Sequence, residues 1–335
     1  MEQRSLYFTA PGETAIQESR VTAAEDEVLV ETTVSAVSAG TELLIYRDEA
    51  PGSLEADATI DALDGDLSYP VKYGYATVGT VTETGRSVDD DWRGRSVFAF
   101  NPHESRFAAT PDSLIPVPEG LPVESMALFP SVETATSLVI DGRPRIGERV
   151  VVFGAGIVGL CTVDLLSSFP LGRLTVVEPL EQRREHAREL GADRAIAPAE
   201  VRTELEFDGD PAGADLVYEL SGNPAALDDA LDVTGYDSRV IVGSWYGTKR
   251  ADIDLGADFH RDRVSIESSQ VSTLAPDSRG RFTRDRRAAV ALDRLRTMDT
   301  DSLITHRIPF AEADAAYHLL DRRPEAAIQV LLTYE

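Results

Sequence analysis

The sequence predicts an α/β protein of two domains, a β-rich one first and then a doubly wound parallel sheet covered by helices. Three observations carry this. At 335 residues the chain exceeds what one compact core usually encloses. Its first third alternates short apolar runs with turn residues. From Arg149 to about Thr273 strand-like and helix-like segments then alternate, which favours a parallel sheet buried on both faces.

In chain order, Glu27-Val-Leu-Val-Glu-Thr-Thr-Val-Ser35 alternates as a half-buried strand does, Tyr75 to Thr82 is rich in Val, Thr and Gly, and Ser96-Val-Phe-Ala-Phe100 is a short apolar run. Asp48 to Ser68 is acidic and broken by Pro51, Gly52 and Gly65, so a long surface loop is expected, with too few apolar residues for a core element. Glu124 to Ile140 has helix-compatible spacing. The first domain is therefore placed at 1–125, with 275–335 returning to it, and the second at 126–274. Strands are expected at Val150–Phe153, Leu174–Glu178, Leu216–Leu220, Val240–Val242 and Val264–Ser268. Helices are expected at Val158–Ser168, Glu181–Leu190, Ala225–Val233, Thr283–Thr297 and Ala311–Leu320. Ala327 to Thr333 reads as a strand closing back on the first domain.

Composition excludes several roles. The 58 acidic and 32 basic residues give a net charge of −26, which repels nucleic-acid phosphates. The acids are spread along the chain and lysine is scarce, the pattern of a protein kept soluble in high salt, so a halophilic source is expected. No run is long and apolar enough to span a bilayer, and the start shows no basic run followed by an apolar stretch, so a cytoplasmic protein is expected. A single cysteine, Cys161, rules out an internal disulfide and a multi-thiolate zinc site; inside a helical pattern it reads as a small buried apolar residue.

The most specific motif is Val150-Val-Val-Phe-Gly154-Ala155-Gly156-Ile157-Val158-Gly159, a GxGxxG between an apolar strand and an apolar helix. The first glycine permits the tight turn, the second lets a pyrophosphate approach the backbone, the third lets helix and strand pack closely, and the helix N-terminus favours negative charge. Glu178 closes the next strand about 20 residues on, where a carboxylate can bond a ribose diol. The second domain thus reads as a Rossmann nucleotide-binding domain. Glu178 favours NAD, although Arg183 and Arg184 follow closely enough to neutralise a 2′-phosphate, so NADP stays open. A short-chain dehydrogenase would begin with the glycine turn and carry Tyr-x-x-x-Lys after it; this chain has no such pair.

The order of these parts resembles the medium-chain dehydrogenase/reductase superfamily, the zinc alcohol dehydrogenase-like proteins, over nearly the whole chain. Val37-Ser-Ala-Gly-Thr-Glu42 resembles the early Cys-Gly-Thr-Asp segment. Tyr69-Pro-Val-Lys-Tyr-Gly-Tyr-Ala-Thr-Val-Gly79 resembles Pro-x-x-x-Gly-His-Glu-x-x-Gly, and Glu189-Leu-Gly-Ala-Asp193, Asp215 to Gly222 and Val240 to Gly243 complete the likeness. Ser38-Ala-Gly-Thr-Glu42, the Gly74-Tyr-Ala76 departure and Phe100-Asn-Pro-His103 together most resemble the zinc-lacking branch of bacteriochlorophyllide hydroxyethyl dehydrogenase-like proteins and, more remotely, threonine dehydrogenases. The resemblance implies a GroES-like β-barrel catalytic domain beside the Rossmann domain, cofactor contacts at Ser221, Gly222, Gly243 and Ser244, a homodimer formed through an edge strand, and oxidation of an alcohol or reduction of a carbonyl.

Where this chain departs from the pattern, it loses metal ligands. Ala39 stands at the first zinc cysteine, Tyr75 at the zinc histidine, Ala76 at the neighbouring glutamate, and Pro130 where many relatives supply another ligand. The four-cysteine lobe is missing, and the five histidines show no metal-ligand spacing, so no metal is expected. Thr41 matches the proton-relay hydroxyl, Tyr75 can polarise a carbonyl, and His103 can serve as a relay base. Each also has a structural explanation: a turn for Thr41, a space-filling aromatic for Tyr75, a solvated or turn-capping side chain for His103. Glu42 and Lys72 are read as pocket-edge or solvated charges. Three functions stay open: a zinc-independent NAD(P)-dependent alcohol/carbonyl oxidoreductase, a quinone or enone reductase, and a non-catalytic nucleotide-binding protein.

Overall fold

The computed structural model describes residues 1–205 and 212–335. The chain begins with β1 (Glu2–Ala10), β2 (Glu13–Arg20) and β3 (Val28–Ala36), followed by α1 (Ala39–Tyr46). Short strands β4 (Val71–Lys72), β5 (Thr77–Thr84), β6 (Ser96–Ala99), β7 (Arg106–Ala109) and β8 (Leu114–Pro116) precede α2 (Val123–Met126) and α3 (Phe129–Gly142). Alternation then sets in: β9 (Arg149–Phe153), α4 (Ile157–Leu166), β10 (Arg173–Val177), α5 (Glu181–Glu189), β11 (Arg194–Ile196), α6 (Val201–Glu204), β12 (Ala214–Glu219), α7 (Ala226–Asp232), β13 (Thr234–Val242), α8 (Asp258–Arg261) and β14 (Ser265–Ser268). The tail holds α9 (Arg284–Leu295), β15 (Ile304–Pro309), α10 (Ala313–Arg322) and β16 (Gln329–Thr333).

Two compact units result: Met1–Pro130 with Asp299–Glu335, and Ser131–Met298. The sequence-based division instead assigned 275–335 to the first domain. Residues 275–298 group with the second unit because α9 is anchored there: Arg287 bonds Glu133 at 3.0 Å and Ser137 at 2.9 Å, all three side chains buried. The expected helix over 124–140 is broken into α2 and α3, since Pro130 has no N–H and belongs in the first turn of a new helix.

The first unit has a seven-stranded sheet in the order β15-β16-β3-β5-β6-β8, with β7 also paired to β3, and a three-stranded sheet β2-β1-β4. Only the β15–β16 pair is parallel in the larger sheet. Strand β16 lies against β3, so the end of the chain does return to the first domain. Apart from one bridge between Glu55 and Asp66, residues 48–68 form no strand or helix. That loop is not all surface: Ala50, Ala56, Leu63 and Leu67 are buried in one core with Leu44, Tyr46, Phe310 and Tyr317, so a few well-placed apolar side chains anchor it despite its acidic composition.

The second unit is a six-stranded, all-parallel sheet in the order β11-β10-β9-β12-β13-β14. Counted along its own strands this is 3-2-1-4-5-6, the doubly wound order whose reversal point lies between the first and fourth strands. Val150, Val151 and Val152 of β9 and Leu216, Val217 and Tyr218 of β12 are fully or almost fully buried, as strands covered on both faces require. Strand β11 was not foreseen; three residues are too few to show a period.

Candidate active site

The reversal point between β9 and β12 is where the glycine turn lies. Gly154 has φ +94°, and a Cβ there would sit 2.7 Å from the Ser221 backbone, so the loops leaving β9 and β12 meet at this point. A Cβ on Gly159 would be 2.1 Å from the Gly154 carbonyl oxygen, which holds α4 close to its strand. Gly156 differs: nothing lies within 4 Å of its Cβ position. No side chain caps α4 there, so the backbone N–H groups of Ile157, Val158 and Gly159 at its start present the positive end of the helix to an open space. That space suits a dinucleotide pyrophosphate.

Glu178, 3% exposed, accepts hydrogen bonds from Ala155 N at 2.7 Å and Leu180 N at 3.0 Å. It therefore braces the glycine turn from beneath. Arg184 Nη1 donates to the Glu178 and Pro179 carbonyls at 2.6 and 2.7 Å. Arg183 is half-buried, and burial lowers its guanidinium pKa while Glu178 opposes the shift. Neither arginine is a fully solvated helix residue: both are half-buried. Cys161 is buried in α4 as expected, and burial pushes its thiol pKa up.

Across the reversal point, a carboxylate that sequence reasoning missed organises the β12 and β13 loops. Glu219 is fully buried. It accepts from Ser221 N at 2.9 Å, from the Ser221 hydroxyl, and from Tyr246 Oη at 2.5 Å. Gly222 N donates to Ser244 Oγ at 2.9 Å, and Lys249 Nζ donates to the Gly222 carbonyl at 2.7 Å. Gly243 leaves room for its neighbours, since a Cβ there would lie 2.6 Å from Leu220 and 2.7 Å from Leu138. Ser221, Gly222, Gly243 and Ser244 are thus brought together around Glu219. A charged residue amid the apolar run Leu-Val-Tyr-Glu-Leu was the available signal.

In the first unit a second cluster forms where Thr41, Glu42, Tyr75 and His103 meet. The half-buried Tyr75 phenol contacts the Ser38 hydroxyl closely and lies 3.4 Å from Thr41 Oγ1. Burial raises its pKa, with the hydrogen bonds from Ser38 and Thr41 opposing. Glu42 is fully buried: Oε1 accepts from Ser38 N at 2.7 Å, and Oε2 accepts from Tyr317 Oη at 2.5 Å and from His103 Nε2 at 3.0 Å. His103 is fully buried as well, with Nδ1 2.6 Å from Ser35 Oγ, which lies 2.9 Å from Tyr334 Oη. A carboxylate accepts only, so Nε2 carries a proton and donates it to Glu42.

Two expectations are corrected here. His103 is not the solvated or turn-capping side chain that the sequence suggested, because it is fully buried and both ring nitrogens are hydrogen-bonded. Glu42 is a buried hub and not a solvated charge. Lys72 is tied to the buried Glu104 at 2.7 Å.

The residues at the family's metal positions do not fit zinc. Ala39 and Ala76 have no donor atom, Tyr75 is a neutral phenol already bonded to two hydroxyls, and among the described residues no group of three or more His, Cys, Asp or Glu side chains could hold a metal ion.

Residues 158–284 match the family model described as zinc-binding dehydrogenase. D-guloside 3-dehydrogenase of Escherichia coli strain K12 is 25% identical over 349 residues, covering 99% of this chain and 100% of that protein. Over that stretch, and over nearly the whole length of this relative, the chain is similar to alcohol dehydrogenase-like, zinc-binding dehydrogenases. Sorbitol dehydrogenase 1 of Saccharomyces cerevisiae is likewise 25% identical over 91% of both chains. The solved structure of an Escherichia coli CFT073 alcohol dehydrogenase complexed with NADH superposes with a TM-score of 0.77 at 19% identity, covering 99% of each chain, and shows the same fold. The protein is an oxidoreductase of the medium-chain dehydrogenase type.

Proposed function

We propose that this chain is a zinc-independent, nicotinamide-dependent oxidoreductase that interconverts a secondary alcohol of a polyol or sugar glycoside with its ketone. The observation that carries it is the open space at Gly156 before the uncapped start of α4, a cradle that a side chain would fill. When bound, the nicotinamide takes up a hydride from the alcohol carbon or returns it. Gly156 to Gly159 would hold the pyrophosphate, Glu178 the adenosine ribose, and Ser221, Gly222, Gly243 and Ser244 would line the crevice beside them. Glu178 supports NAD over NADP, since its carboxylate repels a 2′-phosphate.

Tyr75 would face the reacting oxygen. Its raised pKa keeps the phenol protonated at neutral pH, so it donates a hydrogen bond to a carbonyl oxygen and supplies the proton as the alcohol forms. Ser38 and Thr41 hold the phenol and pass the proton back. The substrate class rests on relatives named for a guloside and for sorbitol. Neither of these relatives is named a quinone or enone reductase. Self-association along β14, whose four residues are exposed at the edge of the sheet, belongs to the same reading.

The test is a turnover assay on chelator-treated protein shown by elemental analysis to be metal-free. NAD⁺ and NADP⁺ are each offered with an alkyl guloside, sorbitol and 2,3-butanediol. Steady reduction of nicotinamide with at least one alcohol is expected. No turnover on any of them sinks the function, and activity that returns only with added zinc sinks the metal-free mechanism.

A further inference from the structure

The two strands of sequence that carry the hydroxyl cluster are far apart in the chain: Ser38 and Thr41 lie at the start of α1, Tyr75 on the segment leading into β5. One side chain touches both. On one side His103 Nε2 bonds Glu42, whose other oxygen takes the Ser38 N–H. On the other, its ring packs against Gly74, where a Cβ would come within 2.7 Å of the imidazole, and its backbone N–H bonds the Tyr73 carbonyl at 3.3 Å. Gly74 has φ +114°, so the residue before Tyr75 is held in a conformation few other residues adopt, with the imidazole packed where a side chain would be. The imidazole is itself fixed at both nitrogens.

We infer that His103 is a positioning residue for catalysis, setting through Glu42–Ser38 and through Gly74 the placement of the Tyr75 phenol against Ser38 and Thr41. This rests on the reading that Tyr75 acts on the substrate oxygen. A buried polar pair could instead serve packing alone, and the two roles differ in what they predict. If His103 acts through Tyr75, its loss costs turnover only while the phenol is present. A packing role costs the same whether or not it is. Misplacing a reacting group by about 1 Å can reduce turnover about 100-fold, so the effect is measurable.

The experiment is a double-mutant cycle with whichever of the alkyl guloside, sorbitol and 2,3-butanediol gives the highest kcat/KM. His103→Asn, whose short amide cannot reach both partners, and His103→Gln, whose amide can still donate to Glu42, are each made in wild-type and Tyr75→Phe backgrounds. Expected are a loss of kcat of about 10- to 100-fold for His103→Asn with KM and NADH affinity little changed, and substantial rescue by His103→Gln. In the Tyr75→Phe background both variants should match Tyr75→Phe within about twofold, the limit within which independent effects add. Ser35→Ala, which releases Nδ1 and leaves the imidazole in place, is the milder variant should His103→Asn fail to fold; it should lower kcat only when Tyr75 is present. An equal loss in both backgrounds overturns the inference and leaves the role of Tyr75 standing. An unchanged kcat in Tyr75→Phe itself, or no turnover of any of the three alcohols, overturns the reading of Tyr75 and the inference with it.

Discussion

Gly156→Ala separates cofactor binding from folding better than any other change in the glycine turn. Gly156 has φ −68° and ψ −178°, an extended conformation any residue adopts, and no atom lies within 4 Å of the new methyl. The fold should therefore be unaffected, or gain about 0.4–1 kcal/mol from the reduced freedom of the unfolded chain. The methyl instead enters the space where a pyrophosphate approaches the backbone. Losing one or two charge-assisted bonds to N–H groups there costs about 1.5–3 kcal/mol each. That corresponds to a Kd weaker by about tenfold, for one bond at the low end, to about 10⁴-fold, for two at the high end. NADH titration followed by fluorescence, with thermal unfolding of the same samples, reads both quantities. Gly154→Ala is the contrasting variant: φ +94° and the 2.7 Å approach to Ser221 impose strain of about 1–3 kcal/mol, so it should melt early. Undiminished NADH affinity in Gly156→Ala would refute the placement of the cofactor.

Three further outcomes follow from the structure. Glu178→Gln removes the charge that opposes a 2′-phosphate and sets an amide N–H₂ against one of the two backbone donors it faces; the preference for NADH over NADPH in parallel titrations should shrink by about tenfold, worth about 1.4 kcal/mol, and an unchanged ratio counts against Glu178 as the selector. Arg287→Met strands the buried Glu133 and should cost about 3–5 kcal/mol by calorimetry. Burial already holds the Glu133 carboxyl above its ordinary value against the pull of Arg287. Without the guanidinium the folded form binds this proton more tightly than the unfolded one, so the deficit of Arg287→Met should grow as pH rises above the ordinary glutamate range and shrink below it. The net charge of −26 should make the unfolding temperature climb with KCl as the screening length falls from about 10 Å at 0.1 M to about 3 Å at 1 M; a flat response removes the halophilic reading.

What could be read from the sequence was whatever is local. The glycine turn, its flanking strand and helix, and Glu178 all fall within residues 150–178, and each acts through backbone geometry that its own neighbours dictate. The alternation from β9 to β14 was legible because strands covered on both faces become continuous apolar runs. What stayed hidden depends on distant partners. His103 looked like a loop histidine after Pro102, yet its two partners are 61 and 68 residues away. Arg287, on the polar-looking first turns of α9, is buried by a carboxylate 154 residues earlier. Glu219 was hidden differently, since its partners Ser221 and Tyr246 are near in sequence but polar loops do not announce which carboxylate they enclose.

Glu42 shows why the hydroxyl cluster could not be assembled from motifs alone. A carboxylate removed from water needs several strong donors, because an unpaired one would lose far more solvation than packing returns. Its three donors are a backbone N–H four residues earlier, an imidazole 61 residues later and a phenol 275 residues later. The last of these stands on α10, in the segment that brings β16 back against β3. The N-terminal segment that bears Thr41 and the C-terminal return of the chain are therefore joined by one side chain. A carboxylate with only solvent-facing work would not be enclosed this way. Its confinement fixes the Ser38 backbone and, through the Ser38 hydroxyl, the position of the Tyr75 phenol.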